Sequence, residues 1–250
     1  MKIDAILSPA ELPALAKRDL RDATCVVFDV LRATSTFVTA LHNGAKAIIP
    51  VSEIAEALAL RQKQPDVLLG GERDGVRIRA AQTGGIDFDL GNSPREFTPE
   101  KVRGKTIIST TTNGTRALRA CAGAQTVLAA SFLNLTATAQ FILRLRPEQI
   151  VLVCAGTREN RADEDVLASG ALCEMFLRDS GGRAVSDSVE TALSAWRKAK
   201  SNLLEVVSEA ENARRLLAIP ELRDDVAFCL QQDIYPLVAK MEGEAVIRCP

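Results

Sequence analysis

Histidine is almost absent from this sequence of 250 residues, in which His42 is the single example. Catalysis that needs two histidines, an H-E-x-x-H motif or a histidine-centred triad would therefore have to use another base. His42 falls near the end of a predicted helix, where a structural role is the favoured interpretation. The six cysteines lie far apart without a C-x-x-C pair, so disulfides and a zinc site are not expected.

An excess of charge of either sign is also lacking. Lys and Arg number 31 against 32 Asp and Glu, which gives a net charge of −1. Aromatic residues make up only 4%, and no basic run interleaved with aromatics offers a surface to nucleic acid, so no nucleic-acid partner is expected. No apolar run approaches the roughly 18–20 residues that span a bilayer, and the first residues lack the apolar core of a signal peptide. We therefore expect no membrane association and a cytoplasmic location.

The sequence does contain short apolar runs rich in Val and Ile. They are continuous rather than alternating, which is typical of strands buried on both faces of a sheet. Helical patterns separate them, so the sequence predicts an α/β fold of three layers, α/β/α, with a mostly buried sheet and a helix-rich C-terminal portion. A single domain over 1–250 is the simplest organisation, with a subdivision near residue 160 as the alternative. The predicted strands are 24–30, 46–51, 66–70, 105–109, 125–129 and 149–154, and the main predicted helices are 52–62, 135–145, 164–177, 186–198 and 203–217.

Small polar residues follow the fourth predicted strand, where residues 109–117 read STTTNGTRA. A glycine turn between a strand and a helix directs backbone N–H groups and the positive end of the helix dipole at one point, which favours an anion. A Walker A motif is not formed, because Pro99 stands where its first glycine is required. The alternative is a plain turn with one threonine capping the next helix. Four threonine hydroxyls favour the anion site.

Asp29 and Arg32 follow the first predicted strand. A buried carboxylate is costly without a cation, so Asp29 predicts either a metal ion or an ion pair with Arg32. Arg32 could also hold an anion together with the hydroxyls of Ser35 and Thr36. A haloacid-dehalogenase-type phosphatase with Asp29 as nucleophile is disfavoured, because position 31 is Leu31 where that class needs a second acid.

Three further segments carry acids, arginines or small polar groups where a strand or loop ends. They are GGER at 70–73, DFDLGNSP at 87–94, and AGTR at 155–158 with ADED at 162–165. Because the carboxyl ends of parallel strands meet at one edge of an α/β sheet, we expect all five segments to form one site.

Six motifs occur together and in order: D-V-L-R-A-T-S-T, G-E-R, F-D-L-G-N-S-P, T-T-N-G-T-R-A-L, E-D-x-x-x-x-G and D-D-V-A-F-C. As a set, the motifs resemble the 2-phosphosulfolactate phosphatase family, over about residues 3 to 249. The resemblance implies a homodimeric α/β/α enzyme that uses Mg²⁺ to hydrolyse 2-phosphosulfolactate to 3-sulfolactate and phosphate, a reaction of coenzyme M biosynthesis in methanogens. The alternatives are a phosphatase for another small anionic phosphate ester and a non-catalytic anion-binding protein of the same fold.

The resemblance also implies the site residues. Catalysis is assigned to Asp29, Arg32 and Glu72, and the metal ligands are expected among Asp29, Glu72, Glu164 and Asp165. Substrate binding is assigned to Arg32, Ser35, Thr36, Arg73, Asn92, Ser93, Thr111, Thr112, Asn113, Gly114, Thr115 and Arg116. We expect metal-assisted attack by a water that a carboxylate orients. A covalent route through Cys154 or Ser35 ranks second, because neither has a neighbouring base in the sequence.

Overall fold

The computed structural model describes residues 1–180 and 183–249. Within them one mixed sheet contains β1 Lys2–Ile6, β2 Ala23–Phe28, β3 Ala47–Val51, β4 Leu68–Arg73, β5 Val76–Arg77, β6 Thr106–Thr110, β7 Thr126–Ala130, β8 Gln149–Cys154, β9 Arg183–Ala184, β10 Val238–Glu242 and β11 Ala245–Cys249. The strand order across the sheet is β5-β4-β6-β3-β11-β10-β7-β2-β8-β1-β9.

Helices cover the sheet. In chain order they are α1 Leu12–Leu15, α2 Ala33–His42, α3 Ile54–Lys63, α4 Ala80–Thr83, α5 Pro99–Val102, α6 Gly114–Ala120, α7 Leu135–Leu145, α8 Asp163–Ser180, α9 Asp187–Ala199, α10 Leu203–Ser208, α11 Glu211–Leu217 and α12 Arg223–Cys229. None of the helices in the described ranges is long and apolar enough to cross a membrane.

The sheet consists of two parallel groups of strands joined by a hairpin. Strands β4, β6 and β3 are parallel to one another, as are β7, β2, β8, β1 and β9. The hairpin β10–β11 lies between the groups and is antiparallel to β7 on one side and β3 on the other. Three successive antiparallel pairings give the two groups opposite polarity along the sheet. The sheet is therefore mostly parallel and contains one antiparallel hairpin.

The core confirms three layers. Val26 and Phe28 of β2 face a cluster that includes residues of α7, α8, α9 and α12, whereas Cys25 and Val27 face a second cluster with α2 and α6. Neighbouring residues of a strand point to opposite faces, so each face of the sheet is covered by its own set of helices. This arrangement explains why the strand sequences are apolar without alternation.

The predicted strands are all present, and β4 continues beyond the predicted 66–70 to Arg73. The helix predicted over 203–217 is instead two helices, α10 and α11. The backbone of Ala210 between them is extended, with φ −68° and ψ 152°, and this interrupts the helical hydrogen bonds. The sequence at the start of the predicted helix 52–62 favours Ser52 as its N-cap, but the residue at that position of α3 is Glu53.

Candidate active site

A small polar pocket lies where β2, β4, β6 and β8 end. Its cavity volume is about 60 Å³, which is room for several waters or for polar groups of a ligand. The lining residues come from segments far apart in the chain: Asp29, Leu31, Arg32, Glu72, Asp74, Gly75, Asn92, Thr111, Thr112, Asn113, Gly156, Thr157, Arg158, Asn212, Arg215 and Leu216. The strand exits therefore meet, as expected, although the two groups of strands have opposite polarity.

Asp29 lies directly after β2 and is 8% exposed. Its Oδ1 accepts a hydrogen bond of 3.0 Å from the backbone N–H of Ala33, at the start of α2. Gly114 allows close approach of α6, since a Cβ there would lie 2.7 Å from Asp29 Oδ2. The pKa of Asp29 is raised to about 6, mainly by burial and also by the charge of Glu72, against the lowering effect of the Ala33 hydrogen bond. Asp29 is thus a carboxyl that a nearby cation would stabilise in its ionised form.

Asp165 ties two strand exits together. Its Oδ1 accepts the backbone N–H of Val30 at 2.7 Å, and its Oδ2 accepts that of Gly156 at 3.0 Å. Burial raises the pKa of Asp165 well above its usual range, and the charges of Glu164 and Asp29 add to the effect. Both oxygens of Asp165 are therefore engaged in holding the end of β2 beside the end of β8.

Glu164 is 1% exposed and incompletely satisfied. Its Oε1 accepts a hydrogen bond of 2.7 Å from Asn212 Nδ2, whereas its Oε2 is buried without a hydrogen-bond partner among the described residues. The same amide of Asn212 also donates to the hydroxyl of Thr157. Burial raises the pKa of Glu164 to about 7, against the lowering effect of Asn212, and Asp29 adds repulsion. A buried carboxylate oxygen without a donor is a site for a cation.

Glu72, at the end of β4, organises two loops of the pocket. Its Oε1 accepts both the backbone N–H and the hydroxyl of Thr112 at 2.9 Å, and its Oε2 accepts the backbone N–H of Gly75 at 2.7 Å. Glu72 therefore holds the segment after β6 against the turn after β4.

The segment STTTNGTRA forms the end of β6 and the start of α6, with Asn113 at the N-cap position. Asn113 Nδ2 donates to the carbonyl of Gly156 at 2.7 Å and links this loop to the exit of β8. Thr111 Oγ1 and Asn113 Oδ1 are buried without hydrogen-bond partners in the described part of the chain. Asn113 caps α6 without a side-chain hydrogen bond, so the segment is not explained by simple threonine capping. Its role as an anion site stays a prediction.

Arg32 lines the pocket but does not pair with Asp29. Its Nη1 forms an ion pair of 2.7 Å with Asp225 of α12, and both side chains are almost completely buried. Its Nη2 donates to the carbonyl of Gly75 at 2.5 Å. The alternative of an Asp29–Arg32 ion pair is therefore not what the structure contains, because Asp225 occupies the guanidinium.

Several predicted site residues do not line the pocket. Ser35 Oγ donates to the carbonyl of Val30 and Thr36 Oγ1 to that of Asn92, each at 2.8 Å. The others make these bonds: Arg73 donates to Thr110 and the carbonyl of Glu72, Ser93 to Asp225, Thr115 to the carbonyl of Thr111, and Arg116 to Glu159. These side chains therefore support the pocket segments and do not line the pocket itself.

The sequence-based assignment of site residues left out pocket residues from three regions, which are the turn after β4, the segment after β8 and helix α11. Asp74 and Gly75 follow β4, whereas Thr157 and Arg158 belong to the AGTR segment that was expected at the site but was given no role there. Asn212 and Arg215 lie on α11, far from any strand exit, and only their spacing of three on one helix face could have linked them to each other.

The described residues contain no group of three or more His, Cys, Asp or Glu side chains arranged to hold a metal ion. Mg²⁺ commonly takes one or two carboxylates and completes its coordination with water and phosphate oxygens. The buried oxygen of Glu164 without a donor and the raised pKa of Asp29 therefore fit such a partial ligand set.

Fold and site together define a three-layer α/β protein with an acid- and arginine-lined pocket at the ends of its strands. The sequence model of the 2-phosphosulpholactate phosphatase family matches residues 10–244. The chain belongs to this family, whose members are phosphoric monoester hydrolases.

Individual relatives agree with the family match. The chain is 39% identical over 231 residues to the "Probable 2-phosphosulfolactate phosphatase" of Caldanaerobacter subterraneus, covering 92% of each chain. It is 39% identical over 226 residues to the protein of that name from Thermotoga maritima, covering 90% of this chain and 92% of the relative. A third, from Clostridium acetobutylicum, is 36% identical over 248 residues, covering 99% of this chain and 100% of the relative.

Proposed function

We propose that this chain is a Mg²⁺-dependent phosphatase that hydrolyses 2-phosphosulfolactate to 3-sulfolactate and inorganic phosphate. The observation that carries the proposal is the pocket itself, which is lined by the buried carboxyl group of Asp29 and by arginines without a carboxylate partner among the described residues. A second buried carboxyl group, that of Glu164, lies directly behind the lining residue Asn212. Such a pocket combines a place for a cation with a place for an anion. The relatives' shared name supplies the substrate.

Asp29 and Glu164 are the residues we assign to the metal, with Glu72 and Asp165 as carboxylates that support them. When bound, Mg²⁺ neutralises phosphate oxygens and favours attack on phosphorus. The support from Glu72 and Asp165 is positional, because their oxygens already accept backbone or hydroxyl hydrogens.

The chain's own groups have separate roles in this proposal. The carboxylate of Asp29 accepts a hydrogen bond from the attacking water and orients it. Thr111 and the N–H groups at the start of α6 donate to phosphate oxygens, since that end of a helix carries partial positive charge.

A covalent route through Cys154 or Ser35 is not supported by their positions. Cys154 is fully buried in the core, and burial raises the pKa of its thiol well above the usual range. Ser35 is also fully buried and donates its hydroxyl hydrogen to the carbonyl of Val30. Neither residue lines the pocket.

The test is phosphate release from 2-phosphosulfolactate, phospholactate and phosphoglycolate, with Mg²⁺ and with EDTA. We expect 2-phosphosulfolactate to be the best substrate, EDTA to stop turnover, and added Mg²⁺ to restore it. Asp29→Asn should abolish turnover and leave the circular dichroism spectrum unchanged. If that variant keeps more than about a tenth of the activity, which is ~1.4 kcal/mol in the barrier, Asp29 is not in the catalytic site.

The alternatives have their own outcomes. Faster release from phospholactate would indicate another small ester as the substrate, and binding of 3-sulfolactate without phosphate release from any ester would indicate a non-catalytic anion-binding protein. The homodimer, the cytoplasmic location and a role in coenzyme M or sulfolactate metabolism stay predictions.

A further inference from the structure

The pocket contains three arginines in different electrostatic states. Arg32 is neutralised by Asp225, and both of its terminal nitrogens already donate hydrogen bonds. Arg158 and Arg215 form no ion pair with any carboxylate of the described residues within 4.0 Å, although Asp74 lines the same pocket. Two positive charges are therefore available to a ligand, and Arg32 is not one of them.

Arg215 is held in place and still has a donor to offer. Its Nη2 donates to Asn212 Oδ1 at 2.9 Å, which fixes the guanidinium beside the pocket. Its Nε is buried and has no acceptor in the described part of the chain. A buried N–H without an acceptor costs free energy, so a ligand oxygen at this point would remove a penalty that the protein alone carries.

Arg158 comes from a different part of the chain, the segment just after β8. It makes no hydrogen bond within residues 1–180 and 183–249. Its backbone has φ 55°, a conformation that non-glycine residues seldom adopt. Strained backbone of this kind is often found where a side chain must be aimed at a ligand. Arg158 and Arg215 both line the pocket, so they can approach one anion from two segments.

The charges divide the pocket into two parts. Asp29 of the lining and Glu164, which is buried next to the lining residue Asn212 and repels Asp29, favour a cation, whereas Arg158 and Arg215 of the lining favour an anion. Asn212 connects the parts, because its amide donates to Glu164 and its carbonyl oxygen accepts from Arg215. A ligand that fills both parts needs a phosphate group for the cation side and a second anionic group for the arginine side.

We infer that Arg215, together with Arg158, binds a second anionic group of the substrate, a carboxylate or a sulfonate, and so determines specificity for phosphate esters that carry such a group. The inference rests on the proposed phosphatase function for its phosphate half only. Arg215 is on this view a substrate-binding residue that distinguishes these esters from esters of uncharged alcohols.

The first experiment compares Arg215→Gln with the wild type on four esters in the presence of Mg²⁺. These are 2-phosphosulfolactate, phospholactate, the phosphate ester of 2-hydroxyethanesulfonate, and ethyl phosphate. Loss of a charge-assisted hydrogen bond should raise KM for the ester whose second anion Arg215 binds by about 10- to 100-fold. The KM for ethyl phosphate, which has no second anion, should be unchanged. The two esters that carry one further anionic group, a carboxylate in phospholactate and a sulfonate in the other, identify which group is bound.

Arg214→Gln is the matched control, because Arg214 lies next along the same helix, is exposed and does not line the pocket. It should leave all four KM values unchanged. Arg215→Lys should recover part of the affinity, since it keeps the charge and loses the planar fork. An equal loss on all four esters in Arg215→Gln, or no loss on any, would overturn the inference.

A binding measurement separates this inference from the proposed function. Calorimetric titration with 3-sulfolactate, which has a carboxylate and a sulfonate and no phosphate, needs no turnover. We expect binding to the wild type and to Arg214→Gln, and at least about tenfold weaker binding to Arg215→Gln. That pattern supports the inference even if no ester is hydrolysed, and equal binding by all three proteins refutes it even if hydrolysis is confirmed.

Discussion

Asp225 is a fully buried carboxylate that neutralises Arg32 and accepts hydrogen bonds from two further residues. Ser93 Oγ donates to its Oδ1 at 2.7 Å and Arg95 Nε to the same oxygen at 2.8 Å. Through these contacts α12 is fixed to the loop before α5 and to the start of α2. Asp225 therefore positions one wall of the pocket without lining it.

We predict that Asp225→Asn lowers the free energy of unfolding by about 3–5 kcal/mol, because it leaves the buried charge of Arg32 without its partner. Urea denaturation measures the change. The control is Asp224→Asn at the neighbouring position, where the side chain is 68% exposed and pairs with Arg95. That variant should lose no more than about 1 kcal/mol. Equal stabilities for the two variants would contradict this account of Asp225.

Single residues show both the success and the limit of sequence-based reasoning. Asp29, Glu72 and Asn113 were found because each follows an apolar run, and a strand exit is a local feature of the sequence. Arg32 was also found, but its partner Asp225 lies 193 positions away in the chain. No local pattern specifies a contact over that distance, so the ionic state of Arg32 could not be predicted.

Among the elements, the hairpin β10–β11 has the largest effect on the sheet. Lys240 lies near the middle of β10, opposite Ile247 of β11 on one side and Leu128 of β7 on the other. Both edges of β10 are therefore paired, and the hairpin is central although it follows every other strand in the chain.

We predict that Lys240→Pro lowers the free energy of unfolding by about 3 kcal/mol or more, because proline removes an N–H from a doubly paired strand. The matched control is Lys240→Ala, which removes the same half-buried side chain and keeps the N–H. It should cost less than about 1 kcal/mol. Thermal and urea denaturation measure both variants, and a proline variant as stable as the alanine variant would show that β10 is not needed in the sheet.

The elements that could be predicted are those with a clear apolar period. The six continuous apolar runs became β2, β3, β4, β6, β7 and β8, since burial on both faces leaves a strong signal. Strand β10 has the sequence VAKME and was missed, because only its first two residues are buried. The break between α10 and α11 was missed because helical spacing continues through Ala210.

At the scale of the whole molecule, a net charge of −1 hides a strong local concentration of acid. Asp29, Glu164 and Asp165 are all buried around one pocket, and each has a raised pKa. The folded protein therefore binds protons that the unfolded chain, with carboxyl pKa values of about 4, has already released. As a result, these groups make folding less favourable as the pH rises from about 4 through about 7.

We predict that Mg²⁺ raises the melting temperature more at about pH 8 than at about pH 5, because only the ionised carboxylates attract the ion. Differential scanning calorimetry with MgCl₂, and with NaCl at matched ionic strength, measures the shift. The double variant Asp29→Asn, Glu164→Gln should lose the pH-dependent part of the Mg²⁺ effect. A shift that is equal at both pH values, or equal for NaCl, would contradict the assignment of these residues to the metal.

The general character of the site could be predicted, and its detailed charge distribution could not. The prediction of a single site depended only on polar residues at the ends of several predicted strands. Which arginines can bind an anion depends on which of them already pair with a carboxylate. In the described part of the chain Arg158 and Arg215 do not, whereas Arg32 does. That is a property of the folded chain as a whole.

The position of the hairpin has a consequence for protein synthesis. A ribosome releases the chain from its N-terminus at about 5–20 residues per second, so β3 and β7 leave the ribosome well before residues 238–249. Until then each has an unpaired edge facing the place that the hairpin will occupy, and an exposed edge of this kind can pair with another chain. Completion of the sheet must therefore wait for translation of the hairpin, and a chaperone that shields apolar strand edges would have its greatest effect on yield during that interval.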